Sequence, residues 1–188
     1  MEDLKDIIDK CSSGDARAQE KLYRMFASKM FGVCLRYARD RSEAEDNLQD
    51  GFIKVFSNIK KFRFEGSFEG WMRRIMVNVS LGKYRKHNVL IPVEDIEKYD
   101  SPYVSDDVIA KLGARQLLEL IQQLSPRYRM VFNLFVIEGM SHQEISKIMN
   151  ISTGTSKSNL ARAREILKRK VQDLYRDVKS NKITLHDE

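Results

Sequence analysis

The sequence predicts an all-α protein: two small helical domains joined by a linker. Three observations predict it. Only three prolines and nine glycines occur in 188 residues, so long helices meet few interruptions. Apolar residues recur three and four apart over most of the chain, the spacing of one buried helical face. The pattern breaks for long only over residues 88–110, which hold Pro92 and Pro102 and turn acidic. Such a break marks a boundary between domains, placed at 1–92, a linker at 93–110, a second domain at 111–178 and a tail at 179–188. The linker is too long for an ordinary connection, which points to a role of its own.

In chain order, Leu4, Ile7 and Ile8 share one face of a first helix over 2–11. The turn Ser12–Asp15 follows, with Asp15 placed to cap the next helix. That helix runs to Arg39 on a core stripe of Leu22, Phe26, Met30, Val33 and Tyr37. Between Asp40 and Asp50 the carboxylates Asp40, Glu43, Glu45, Asp46 and Asp50 cluster at a helix start, where the helix dipole favours them. The same helix continues through Leu48, Phe52, Val55 and Ile59, with Gly51 inside it at a cost of about 1 kcal/mol relative to alanine.

Residues 60–70, KKFRFEGSFEG, read as a loop whose phenylalanines pin it to a core. It is no phosphate-binding loop, because Glu65 and Glu69 repel phosphate and no GK[ST] follows. A short helix then carries Trp71, Ile75 and Met76 on one side. From Gly70 to Val93 there is no carboxylate, while Arg73, Arg74, Lys83, Arg85 and Lys86 are present with Trp71 and Tyr84 among them. Basic residues interleaved with aromatics suit nucleic acid, single strands above all, whose bases expose faces for stacking.

Leu117, Leu118, Ile121 and Leu124 open the second domain. Ser125 and Pro126 restart the helix as N-cap and first residue, Tyr128, Val131, Phe132, Phe135 and Val136 follow, and Gly139 caps the end. Ser141-His142-Gln143-Glu144 is a capping box, opening a short helix with Ile145, Ile148 and Met149 inward. After the turn Asn150–Ser152, Thr153 or Thr155 starts a further helix with Leu160, Ala163, Leu167 and Val171 inward. Two helices, a short turn and a basic second helix describe a helix-turn-helix. Its outer face is expected to show Lys157, Ser158, Asn159 and Arg162 to base edges of the major groove.

A net charge of +6 fits a polyanionic partner. Cys11 and Cys34 sit on apolar stripes and read as buried thiols. Without CxxC, and with His87, His142 and His186 far apart, no metal site or other cofactor is expected. The acidic N-terminus is no signal peptide, and the longest apolar run, Met130–Ile137, is too short to span a membrane, so a cytoplasmic location is expected without membrane insertion.

Four segments together resemble bacterial extracytoplasmic-function sigma factors of the sigma-70 family. AEDNLQDGFIKVF (44–56) resembles region 2.2; FEGSFEGWMRRIMVNVSLGKYRK (64–86) resembles regions 2.3 and 2.4; residues 124–169, LSPRYRMVF onward, resemble region 4; the acidic stretch 93–107 stands where the family joins its domains. The resemblance implies a protein that binds core RNA polymerase and directs promoter recognition, −10 melting and transcription initiation. It implies that Asp46, Leu48, Gln49, Asp50, Phe52 and Ile53 dock on the β′ clamp helices, with the β flap a further polymerase contact. It implies that Trp71, Arg73, Arg74, Asn78, Lys83, Tyr84, Arg85 and Lys86 handle the −10 element, an unstacked base being captured by a loop after the Trp71 helix. Thr155, Lys157, Ser158, Asn159 and Arg162 would read the −35 element, and an anti-sigma protein would hold the chain inactive. The chain departs from the family pattern at Asn47, Gly51, Ser156 and Asn159, the last two bearing on −35 preference.

Two other readings compete. A free-standing duplex-binding regulator needs neither the acidic helix nor the aromatic-basic segment. An enzyme needs a catalytic constellation, and no HExxH, Walker A or cysteine-histidine set occurs; the chain is expected to catalyse nothing.

Overall fold

The computed structural model describes residues 3–88 and 113–183. The chain divides into two compact units, Met1–Ile91 and Pro92–Glu188. The expected linker at 93–110 lies outside the described residues, as does the stretch 184–188 of the expected tail. Among the described residues the regular structure is helical throughout.

The first unit contains α1 (Leu4–Ser12), α2 (Ala16–Tyr37), α3 (Arg41–Asn58), a 3₁₀ turn (Ile59–Lys61) and α4 (Phe68–Asn88). Asp15 caps α2 by accepting from the Ala18 amide at 2.8 Å, and Asp40 caps α3 through the Glu43 amide at 2.8 Å. α2, α3 and α4 pack against one another, and α1 lies on α2. Leu22, Met30, Tyr37, Met72, Met76 and Leu81 are fully buried between them. Each such aliphatic side chain stabilises the bundle by roughly 1.5–3 kcal/mol. Gly51 lies at the contact of α3 with α4, where a Cβ would overlap the Met76 Sδ. Its missing side chain lets the helices approach, which offsets its poor helix propensity.

Cys11 and Cys34 are buried free thiols, as their spacing predicts. Burial pushes Cys11 up to about 11 and Cys34 up to about 12, so both stay protonated and unreactive near neutrality.

Helix α4 corrects the sequence reading: it is not a short helix followed by a capturing loop, but runs 21 residues from Phe68 to Asn88. No glycine or proline signal between Trp71 and Lys86 is strong enough to end it; Gly82 sits within it with open space where a Cβ would stand.

The second unit contains α5 (Ala114–Gln122), α6 (Pro126–Phe132), a π turn (Asn133–Ile137), α7 (His142–Met149) and α8 (Thr153–Ile183), which runs past the expected boundary at 178. α5, α6 and α7 all pack on α8, whose Leu160, Ala163, Leu167 and Val171 are buried as expected. Ser125 occupies the N-cap position of α6 without a side-chain bond, leaving Pro126 as the start signal. Gly139 takes φ +69° after the π turn, and the Met140 amide reaches back to the Leu134 carbonyl at 3.0 Å. Arg129 is buried, and its Nη1 donates to the Gln122 carbonyl at the end of α5 at 2.9 Å.

Candidate nucleic-acid and protein interfaces

Three surfaces carry the expected functional residues. On α3, Asp46, Gln49, Asp50 and Ile53 are exposed, and Ile53 is 62% accessible. Asp46, Asp50 and Ile53 fall on one face by their spacing of four and three. This gives an acidic stripe ending in a bare aliphatic side chain. Leu48 and Phe52 do not join it: both are buried in the bundle, where the helical stripe also placed them. Two sequence arguments disagree over these residues, and the periodicity wins. Tyr23 of α2, itself 40% exposed, lies against Phe52 with ring centroids 4.6 Å apart, and so extends the surface beyond α3.

On α4, Arg74, Asn78, Arg85 and Lys86 are exposed, and Arg74, Asn78 and Arg85 share a face at spacings of four and seven. Arg73 and Tyr84 are half-buried. Lys83 is also half-buried, its Nζ 3.0 Å from Asp50 Oδ2. Trp71 is half-buried in an aromatic cluster, with Phe62 and Phe68 at centroid distances of 5.6 and 5.5 Å. The loop beside this cluster precedes Trp71. There an open groove of about 420 Å³ is lined by Phe62, Arg63, Gly66, Trp71 and Arg74. Phe64, in the same loop, holds φ +56° while 46% exposed, a left-handed backbone that only surrounding contacts keep in place. Lys5 of α1 lies 5.8 Å from its ring centre.

The helix-turn-helix comprises α7 and α8. Its capping box is complete: the Glu144 amide donates to Ser141 Oγ at 3.3 Å, and the Ser141 amide donates to Glu144 Oε2 at 2.8 Å. The Ser141 amide, helped by its hydroxyl, holds the Glu144 carboxyl below its ordinary pKa. Asn150 turns the chain at φ +53°. Ser152 then caps α8, accepting from the Thr155 amide at 2.9 Å.

Of the expected base-reading residues, Lys157 and Ser158 are exposed, and Thr155 and Arg162 are half-buried. Arg162 pairs with Glu165 at 3.1 Å. Asn159 is a correction. It is 5% exposed rather than outward-facing, and its Nδ2 has no hydrogen-bond partner. Helical phase explains this, because Asn159 lies three residues after buried Ser156 and four before buried Ala163. Ala161, which the sequence reading passed over, is exposed beside Lys157 and Ser158 at spacings of four and three.

A polar link between α7 and α8 was also missed. His142 Nδ1 lies 2.9 Å from Ser156 Oγ, and its ring stacks on Phe135 at 4.5 Å. The signal available was a serine at an inward position of α8. Burial first, then the charges of Lys157 and Arg164, lower the His142 pKa.

The description "Sigma-70 region 2" matches residues 22–89, and "Sigma-70, region 4" matches residues 114–167. The RNA polymerase sigma-H factor of Pseudomonas aeruginosa is 29% identical over 190 residues, covering 94% of this chain and 98% of that protein. The ECF RNA polymerase sigma-E factor of Haemophilus influenzae is 30% identical, covering 89% and 95%. The ECF RNA polymerase sigma factor SigW of Bacillus subtilis is 30% identical, covering 91% and 98%.

Proposed function

Because the chain belongs to the extracytoplasmic-function sigma factors of the sigma-70 family, and so directs transcription initiation, we propose that its three surfaces divide the work of an initiation subunit. The acidic and aliphatic face of α3, with Asp46, Gln49, Asp50 and Ile53, docks on the β′ clamp helices of core RNA polymerase. Leu48 and Phe52 shape that face from beneath. Arg74, Asn78, Arg85 and Lys86 hold the −10 strand, and Arg73, Lys83 and Tyr84 flank them. The groove beside Trp71 receives an unstacked base, whose removal from the duplex costs a few kcal/mol that stacking and hydrogen bonds must offset. The start of α8 reads the −35 element through Thr155, Lys157, Ser158 and Arg162, while the second unit also meets the β flap.

The observation that carries this reading is chemical contrast within one small bundle. An acidic-apolar face on α3 and a basic face on α4 suit two different partners, a protein and a polyanion. A duplex-binding regulator needs only the helix-turn-helix. The chain performs no chemistry itself. It works in the cytoplasm beside the polymerase, and an anti-sigma protein silences it by covering the polymerase-docking face. No helix among the described residues is long and apolar enough to cross a membrane. Capture of bacterial core RNA polymerase by the purified chain at moderate salt, followed by run-off transcription, tests the reading. Stoichiometric capture with new transcripts is expected; no capture, with tight binding to bare duplex DNA, would favour the free-standing regulator.

A further inference from the structure

Asp50 and Lys83 belong to surfaces with different proposed partners, yet they hold each other. Lys83 Nζ lies 3.0 Å from Asp50 Oδ2 across the contact of α3 with α4. The geometry of that contact is fixed by its neighbours. Gly51, next to Asp50, lets α3 close on Met76, and Lys83 lies seven residues beyond Met76 on the same face of α4. The Lys83 side chain is 30% exposed. Arg74, Arg85 and Lys86 of the same basic set are exposed and make no ion pair among the described residues.

We infer that Asp50 is a gate on Lys83: in the free chain it holds the ammonium away from DNA, and polymerase, by engaging Asp50, releases Lys83 to a promoter phosphate. This rests on the assignment of Asp50 to polymerase and Lys83 to the −10 strand. A polymerase group that engages Asp50 competes with Lys83 for its charge, and while that charge stands uncovered it repels a phosphate approaching Lys83. Covering Asp50 removes both obstacles at once. Lysine suits the switch, since its flexible four-carbon stem can swing a compact charge between partners. The pair is partly exposed, so it is weak enough to exchange and the effect is modest. Polymerase binding and strand binding are thereby coupled through one side-chain pair, with no rearrangement of the bundle.

The test is the affinity of the full-length free chain for a labelled oligothymidylate at low salt, read by fluorescence anisotropy. The variants are Asp50→Asn, Asp46→Asn, Lys83→Met and the Asp50→Asn/Lys83→Met pair. Asp46→Asn controls for charge, removing the same unit one turn away on the same face. Asp50→Asn is expected to tighten binding roughly two- to fivefold, the scale of a surface pair, and to do so more than Asp46→Asn. Lys83→Met is expected to weaken binding more in the Asp50→Asn background than alone. Equal gains from both asparagine variants would overturn the gate, as would an identical Lys83→Met loss in both backgrounds. No loss from Lys83→Met in either background would overturn it differently, by removing Lys83 from the DNA contacts. Capture of core polymerase by wild type and Asp50→Asn, measured separately, shows whether the docking assignment stands: weaker capture by Asp50→Asn is expected, and undiminished capture would overturn the gate at its polymerase end.

Discussion

Replacing Asn159 by leucine should stabilise the second unit and leave −35 binding in place. Leucine has nearly the outline of asparagine, with two methyls where the amide has oxygen and nitrogen. Asn159 is 5% exposed and its Nδ2 is unpaired. A buried donor without a partner costs about 1–3 kcal/mol. Leucine removes that cost and adds a few tenths of a kcal/mol of helix propensity. Part of the gain is lost to crowding, since leucine is bulkier in a packed seam. A net gain of about 1 kcal/mol follows, which shifts Tm by roughly 4–8 °C in a unit of this size. Trp71, the single tryptophan, lies in the first unit, so its fluorescence does not report the second. Calorimetry of the full chain, with the two transitions resolved, is the appropriate assay. Binding to a −35 duplex should stay within about twofold of wild type, because base discrimination worth about 1–3 kcal/mol per side chain would be lost only if Asn159 faced the DNA. A tenfold loss of duplex binding would show that the side chain points outward and that the assigned phase of α8 is wrong, whereas destabilisation would show that crowding outweighs the cost of the unpaired donor.

Other perturbations follow from the same geometry. Gly51→Ala places a Cβ against Met76, so an overpacking cost of about 1–3 kcal/mol outweighs the helix gain of about 1 kcal/mol, and urea unfolding followed by Trp71 fluorescence should show a net loss. Ser141→Ala removes the capping box and should lower the stability of the second unit by about 1 kcal/mol, read in the calorimetric transition not shared with Trp71. His142 has a lowered pKa in the fold, so its neutral form is favoured there while the unfolded chain takes up the proton first. Its contribution is therefore complete above its ordinary pKa of 6.5 and is lost as pH falls below that toward the folded value. His142→Gln should flatten this part of the pH–stability profile of the second unit, and an unchanged slope would contradict the assignment.

Much of this was legible in the sequence because the controlling interactions are local. Asp15, Asp40 and Ser141 cap their helices through neighbours three residues on, and the stripe Leu22 to Tyr37 is buried as its period requires. What escaped depends on phase or on distant contacts. Asn159 was expected on the outer face with Lys157 and Ser158, but one residue turns a helix by about 100° and carries it inward. Leu48 and Phe52 were drawn into the docking set by the segment they lie in, yet their spacing already marked them as core. The resemblance puts a loop after the Trp71 helix, whereas the buried positions Met72, Met76, Val79 and Leu81 continue that helix. Gly51 against Met76 and Asp50 against Lys83 need two helices in place before either contact exists.

The central claim is the division of labour between α3 and α8, and paired variants test it most directly. Asp50→Arg and the double variant Lys157→Ala/Arg162→Ala are each assayed for capture of core RNA polymerase and for binding of the free chain to a −35 duplex. The account predicts that Asp50→Arg loses polymerase and keeps the duplex, while the double variant keeps polymerase and loses the duplex. Equal loss of both activities in either variant would contradict it.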